Sequence, residues 1–136
     1  MKNTNIKVAI VGTGVIGAGW ATHFLAQGFD VVATDPAAGA EARLREWIDG
    51  YWPTALALGL VDGASRNRLT FTTDLAQAVR HAGFIQESGP ERLDLKHALI
   101  AAIESAANAD AIIASSSSGL SVSEIHAGAR HPERIV

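Results

Sequence analysis

Three groups of residues in this 136-residue chain have types and spacings that could do chemistry. The first is the glycine turn Gly12-Thr13-Gly14-Val15-Ile16-Gly17. It lies directly between an apolar, β-branched run and the start of a helical pattern. In that setting Gly12 allows a tight bend, Gly14 lets a diphosphate approach the backbone, and Gly17 permits close packing of helix on strand. The free N–H groups and positive dipole end of the helix would then face the phosphates. A glycine turn by itself is weak evidence in a chain with 13 glycines, and it could simply pack tightly; its position between strand and helix is what points to a dinucleotide. The second group is Asp35, eighteen residues after Gly17 at the end of the next apolar run, where an acid would meet the adenosine ribose hydroxyls. A carboxylate there repels a 2′-phosphate, and the following Pro36-Ala37-Ala38 offers no arginine to receive one, so the expected cofactor is NAD rather than NADP. Asp-Pro is also ordinary turn chemistry. The third group comprises Glu87-Ser88-Gly89-Pro90-Glu91 and Ser115-Ser116-Ser117-Ser118-Gly119, each following a short apolar strand. Glu91 could be functional or a first-turn acid favoured by its own helix dipole. The serine run could be a solvated linker or a set of hydroxyls for a substrate oxygen or a cofactor ribose, and spacing does not choose between them.

These residues need a scaffold, and the alternation of the chain supplies one. Strands are predicted at Lys7–Val11, Phe29–Thr34, Leu69–Phe71, Phe84–Gln86 and Ala111–Ala114, with the first residues of a sixth at Arg134–Val136. Helices are predicted from Val15 to the stop at Gly28, between Gly39 and Leu60, from Leu75 to His81 behind an Asp74 cap, from Glu91 to Ala106, and around Val122 to Ala127 behind Ser121 or Ser123. In the long second helix Leu44, Trp47, Ile48, Tyr51 and Leu58 form the expected apolar stripe, and Pro53 is expected to kink or break it. Trp47, Tyr51 and Trp52 read as core or as an interface with another domain, the alternative being a cage for a trimethylammonium cation. Strands alternating with helices at this spacing predict an α/β fold with a doubly wound, mostly parallel sheet.

Composition narrows the partners. With 48% hydrophobic and 18% charged residues the chain builds one core, hence one domain over residues 1–136. A net charge of −3, with no basic run longer than two residues, argues against a nucleic-acid partner. No cysteine is present, so disulfides and thiolate metal sites are excluded and the reducing cytoplasm is the expected compartment. No apolar run is long enough for a membrane span. No histidine pair has metal-ligand spacing, and no metal is expected.

Three blocks carry a resemblance to a known family. Ile10 to Gly19, then Gln86-Glu87-Ser88-Gly89-Pro90-Glu91-Arg92-Leu93-Asp94-Leu95-Lys96, then the serine run with His131-Pro132-Glu133-Arg134, look like the N-terminal NAD-binding Rossmann domain of the 3-hydroxyacyl-CoA dehydrogenases. The resemblance implies that Glu91 and Lys96 contact the nicotinamide end of NAD and that Ser118 hydrogen-bonds the 3-oxygen of the substrate. It implies a histidine general base shortly after the sixth strand, which the chain ends before reaching, so that these residues alone are expected to be inactive. It also implies a helical C-terminal domain that completes the cleft and forms a homodimer. Two departures bear on substrate. Ser116 and Ser117 stand where acyl-CoA enzymes typically have asparagine and threonine, and only Arg43 and Arg45 lie between Pro36 and Leu60, where those enzymes often carry lysines suited to CoA phosphates. Both departures lean towards the branch that oxidises small free hydroxy acids of the carnitine or gulonate kind.

Overall fold

A computed structural model describes residues 6–136. Five parallel strands form one sheet: β1 (Lys7–Val11), β2 (Asp30–Thr34), β3 (Leu69–Thr72), β4 (Ala82–Glu87) and β5 (Ile112–Ser115), in the spatial order β3-β2-β1-β4-β5. The order reverses beside β1, which places the switch point of a doubly wound sheet between β1 and β4. The helices are α1 (Val15–Ala26), α2 (Ala40–Leu58), α3 (Leu75–Val79), α4 (Leu93–Ala106) and α5 (Val122–Ile125). Ile135 forms a parallel bridge with Ile113, so the segment expected to open a sixth strand does lie beside β5. Among the described residues no helix is long and apolar enough to cross a membrane.

The central strand explains the layering. All of β1 beyond Lys7 is buried, as a continuous apolar run requires when both faces of a sheet are covered. Val8 and Ile10 point into a core with Ala18, Ala21 and Leu25 of α1 and Leu44 and Ile48 of α2. Ala9 and Val11 point the other way, into a core with Val79, Ile85, Ile100, Ile103 and Ile113. Two crossovers therefore run over one face and the following ones over the opposite face. In register, Thr72, Thr34, Val11, Glu87 and Ser115 line up in one row across the carboxyl edge. Every segment the sequence marked as chemical leaves from that row.

Departures from the sequence expectations have local causes. α2 is unbroken through Pro53. The ring lies on the exposed side of the helix, as does residue 49, whose carbonyl loses its N–H partner, so water can serve that carbonyl. The apolar stripe is narrower than its composition suggests. Leu44 and Ile48, one turn apart, are buried and contribute about 2 kcal/mol each, whereas Trp47 and Leu58 are exposed. Trp47 stacks on Tyr51 at 5.6 Å, while Trp52 already has the Arg66 guanidinium over its ring at 5.7 Å. α3 stops at Val79, two residues before His81, and its Asp74 cap accepts from the Gln77 amide. Of the two candidate caps for α5, Ser121 is the one used, in a reciprocal box with Glu124.

Candidate dinucleotide site

The turn between β1 and α1 is fixed by its glycines. Gly12 has φ +91°, and a Cβ there would lie 2.8 Å from the carbonyl carbon and oxygen of Ser88. A Cβ on Gly17 would lie 1.9 Å from the Gly12 carbonyl oxygen. Gly14 is the opposite case, with nothing within 4 Å of the Cβ position. Two glycines are thus required by the protein's own packing, and the third faces open space where a ligand can approach the backbone. The ladder continues past the strands to hold this turn, through Gly12 N–H to Thr34 O at 3.0 Å and Ser88 N–H to Val11 O at 2.8 Å. α1 begins at Val15 with Gly14 as its cap residue, no side chain caps it, and its first turn has no acidic residue. The first amides of α1, next to Gly14 in the crevice wall, are therefore left without an internal competitor for an anion. The side chains of Val15 and Ile16 are exposed, so any part those two residues play at the turn falls to their backbone.

Asp35 leaves the end of β2 and turns onto the glycine turn. Its Oδ2 accepts from the Thr13 amide at 2.9 Å and the Thr13 hydroxyl at 3.1 Å, and its Oδ1 accepts from the Ala37 amide at 2.9 Å. The last of these is the Asx-type turn that Asp-Pro predicts; the first two are not turn chemistry, because they tie the acid to the glycine turn 22 residues away. Oδ2 is filled by its two bonds to Thr13, and one lone pair remains on Oδ1 for a ribose hydroxyl. A crevice of about 700 Å³ runs from Asp35 and Pro36 past Gly12 and Gly14 to Gly89 and Pro90, with Leu95 and Leu99 among its apolar walls. Its size, its bare helix amides and the open position above Gly14 fit a dinucleotide.

At the far end the structure separates the predicted residues by role. α4 starts at Leu93, with Arg92 as its cap residue, so Glu91 lies before the helix rather than in its first turn. Its carboxylate reaches instead to the serine run, where it accepts from the Ser117 hydroxyl and, at 3.2 Å, from the Gly119 amide. The Ser117 hydroxyl holds the Glu91 carboxyl below the ordinary glutamate range, with smaller help from the Gly119 amide and the Lys96 charge. The serine run is therefore a structured loop and not a solvated linker. Ser118, one residue on, is exposed, and its hydroxyl has no partner among the described residues. Lys96 faces inward and is 1% exposed; its ammonium donates to Glu87 Oε1 at 2.8 Å and to the Gly89 carbonyl at 3.1 Å, and sits 4.0 Å from Glu91 Oε2. Sequence reasoning assigned nothing to Glu87, which is the partner of that buried charge. The available signal was an acid directly after an apolar strand, nine residues before a lysine on the next helix.

Comparison with known proteins agrees with this geometry. Residues 7–136 match the family model described as 3-hydroxyacyl-CoA dehydrogenase, NAD binding domain. An L-carnitine dehydrogenase of Bacillus cereus is 52% identical over 135 residues, covering 99% of this chain and 41% of the relative. An L-carnitine dehydrogenase of Pseudomonas putida is 54% identical over 134 residues, covering 98% of this chain and 42% of the relative. The crystal structure of 3-hydroxybutyryl-CoA dehydrogenase from Escherichia coli superposes with a TM-score of 0.84 at 28% identity, covering 97% of this chain and 29% of that one. The chain spans about two fifths of the length of the curated relatives it matches. With the glycine turn, Asp35 and the switch-point crevice all in place, this chain belongs to the family of NAD-binding domains of the 3-hydroxyacyl-CoA dehydrogenases.

Proposed function

We propose that this chain is the NAD-binding part of a dehydrogenase that oxidises the 3-hydroxyl of a small hydroxy acid of the carnitine kind. The observation that carries the reading is the meeting, at one sheet edge, of the Asp35-locked glycine crevice with the hydroxyl-bearing loop held by Glu91. NAD, when bound, supplies the hydride acceptor. The amides at the start of α1 bind the diphosphate, Asp35 binds the adenosine ribose, and Glu91 serves the nicotinamide end, with Lys96 behind it bracing Gly89. Ser118 donates its hydroxyl to the 3-oxygen of the substrate, stabilising the charge that grows there as the proton leaves. Support for a small acid over a CoA ester comes from relatives above 50% identity that are L-carnitine dehydrogenases, against 28% for the acyl-CoA enzyme. The surface of α2 agrees, since Arg45 is spent on Glu41 at 3.0 Å and the helix carries no lysine for CoA phosphates. The reading extends to a cytoplasmic homodimer built through a helical domain beyond these residues.

The test is reduced-nicotinamide absorbance from the full-length protein with NAD and a panel of L-carnitine, gulonate and 3-hydroxybutyryl-CoA. Turnover strongest on L-carnitine is the expected result; preference for the CoA ester moves the substrate to the other branch, and NAD binding with no turnover leaves a non-catalytic module. Ser118→Ala is expected to lower kcat by roughly a hundredfold, the scale of one lost oxyanion donor, with little change in the Kd for NAD. The reverse pattern would make Ser118 a cofactor residue. Asp35→Ala is expected to weaken NAD about tenfold, the scale of one charge-assisted hydrogen bond, and to narrow the preference over NADP. Titrations with both cofactors check this, and an unaltered ratio would mean that the ribose is read elsewhere.

A further inference from the structure

The carboxylate of Glu87 has no part in the chemistry described so far, yet it is 0% exposed and fully engaged. Its Oε1 accepts from the Gly89 amide at 2.7 Å and from Lys96 Nζ at 2.8 Å, and its Oε2 accepts from the Ser115 hydroxyl at 2.7 Å. The three donors come from three places: the turn that walls the crevice, the first turn of α4, and the residue where β5 gives way to the serine run. From there the contacts continue outward. The Ser115 hydroxyl accepts from the Ser117 amide at 3.2 Å, and Ser117 in turn donates to Glu91. The Ser116 amide donates to the Glu87 carbonyl at 2.8 Å, and the hydroxyls of Ser116 and Ser88 are hydrogen-bonded at 2.7 Å.

Stability alone gives little reason for this arrangement. Moving two charges out of water costs about as much as their attraction returns, and apolar side chains of similar volume would fill the space as well. A buried charged hub differs from an apolar plug in being directional, since each donor is held at one distance and angle. We propose that Glu87 is a positioning residue, whose carboxylate fixes the Ser88–Glu91 turn against the Ser115–Ser118 loop and so sets the geometry of the nicotinamide end of the site. The diphosphate end is left to the glycine turn, which the Glu87 carboxylate does not touch. The proposal rests on the dinucleotide reading of the crevice.

Its test uses Ser115→Ala, which removes one arm of the hub without uncovering a charge, and the pair Glu87→Gln with Lys96→Met, which removes both charges together. Full-length wild type and both variants are compared for ADP-ribose affinity, NADH affinity and the nicotinamide emission of NADH at saturation. ADP-ribose lacks the nicotinamide ring and reads only the adenosine and diphosphate half. The expected result is ADP-ribose affinity within about threefold of wild type, a change smaller than one ordinary hydrogen bond. Alongside it, the emission of bound NADH should fall back towards that of the free cofactor. Variants whose bound NADH emits like wild type overturn the proposal, and so does a parallel loss of ADP-ribose and NADH binding, which would mark a general packing role. Wild-type protein that binds neither ligand overturns the dinucleotide reading, and this proposal with it.

Discussion

Alanine at position 17 should unseat α1 and weaken NAD binding on the order of a hundredfold or more, the equivalent of about 3 kcal/mol. The added methyl would meet the Gly12 carbonyl oxygen at 1.9 Å and its carbon at 2.9 Å, both backbone atoms that cannot rotate away. Relief requires one of two movements. The turn can open, which pulls Gly12 off the Thr34 carbonyl, or α1 can lift from β1, which parts Ala18 and Ala21 from Val8 and Ile10. Either movement displaces the amides proposed to hold the diphosphate. Gly14→Ala is the control, because its Cβ meets nothing within 4 Å and its φ of −69° suits any residue. That variant should keep the wild-type melting temperature and lose affinity alone. Thermal melts paired with NADH titrations separate the two; a Gly17→Ala protein with unchanged melting and unchanged Kd would refute the packing argument.

Lys96→Met should be the most destabilising single change in the second loop system, by about 3–5 kcal/mol. It leaves the Glu87 carboxylate at 0% exposure with no cation, and the remaining donors, Gly89 N–H and the Ser115 hydroxyl, are neutral. Adding Glu87→Gln should recover most of the loss, because the uncompensated charge is then gone and the methionine fills the volume of the lysine stem. Urea unfolding of the wild type, the single and the double variant reads this as a cycle. A double variant no more stable than the single one would mean that Lys96 acts through its packing and not its charge.

The sequence made the first half of the site legible because that half is local. A continuous β-branched run, a glycine turn and a helix start occupy neighbouring positions from Lys7 to Gly17, and each constrains the next without reference to distant residues. Asp35 is legible for the same reason, since it ends the very next strand. Its bond to Thr13 is a tertiary contact across 22 positions, and no spacing rule supplies it. The second half depends on β4 and β5 lying side by side in a register that pairs Glu87 with Ser115. Before that register is known, Glu87 is an acid at a strand end and Lys96 a lysine on an amphipathic helix. Spacing alone left Glu91 open for a related reason, as its alternatives turned on whether α4 began at residue 91 or 93, within the usual uncertainty of helix ends. Trp47 and Leu58 misled through composition, because periodicity marks which side of a helix is apolar but not how much of that side the sheet covers.

The link between Asp35 and Thr13 ties the end of β2 to the glycine turn in one frame through two hydrogen bonds. A frame that fixes the spacing between that acid and the glycine turn leaves less chain entropy to lose when the proposed dinucleotide docks. On the proposed reading, selection among cofactors then follows from fit to that fixed spacing.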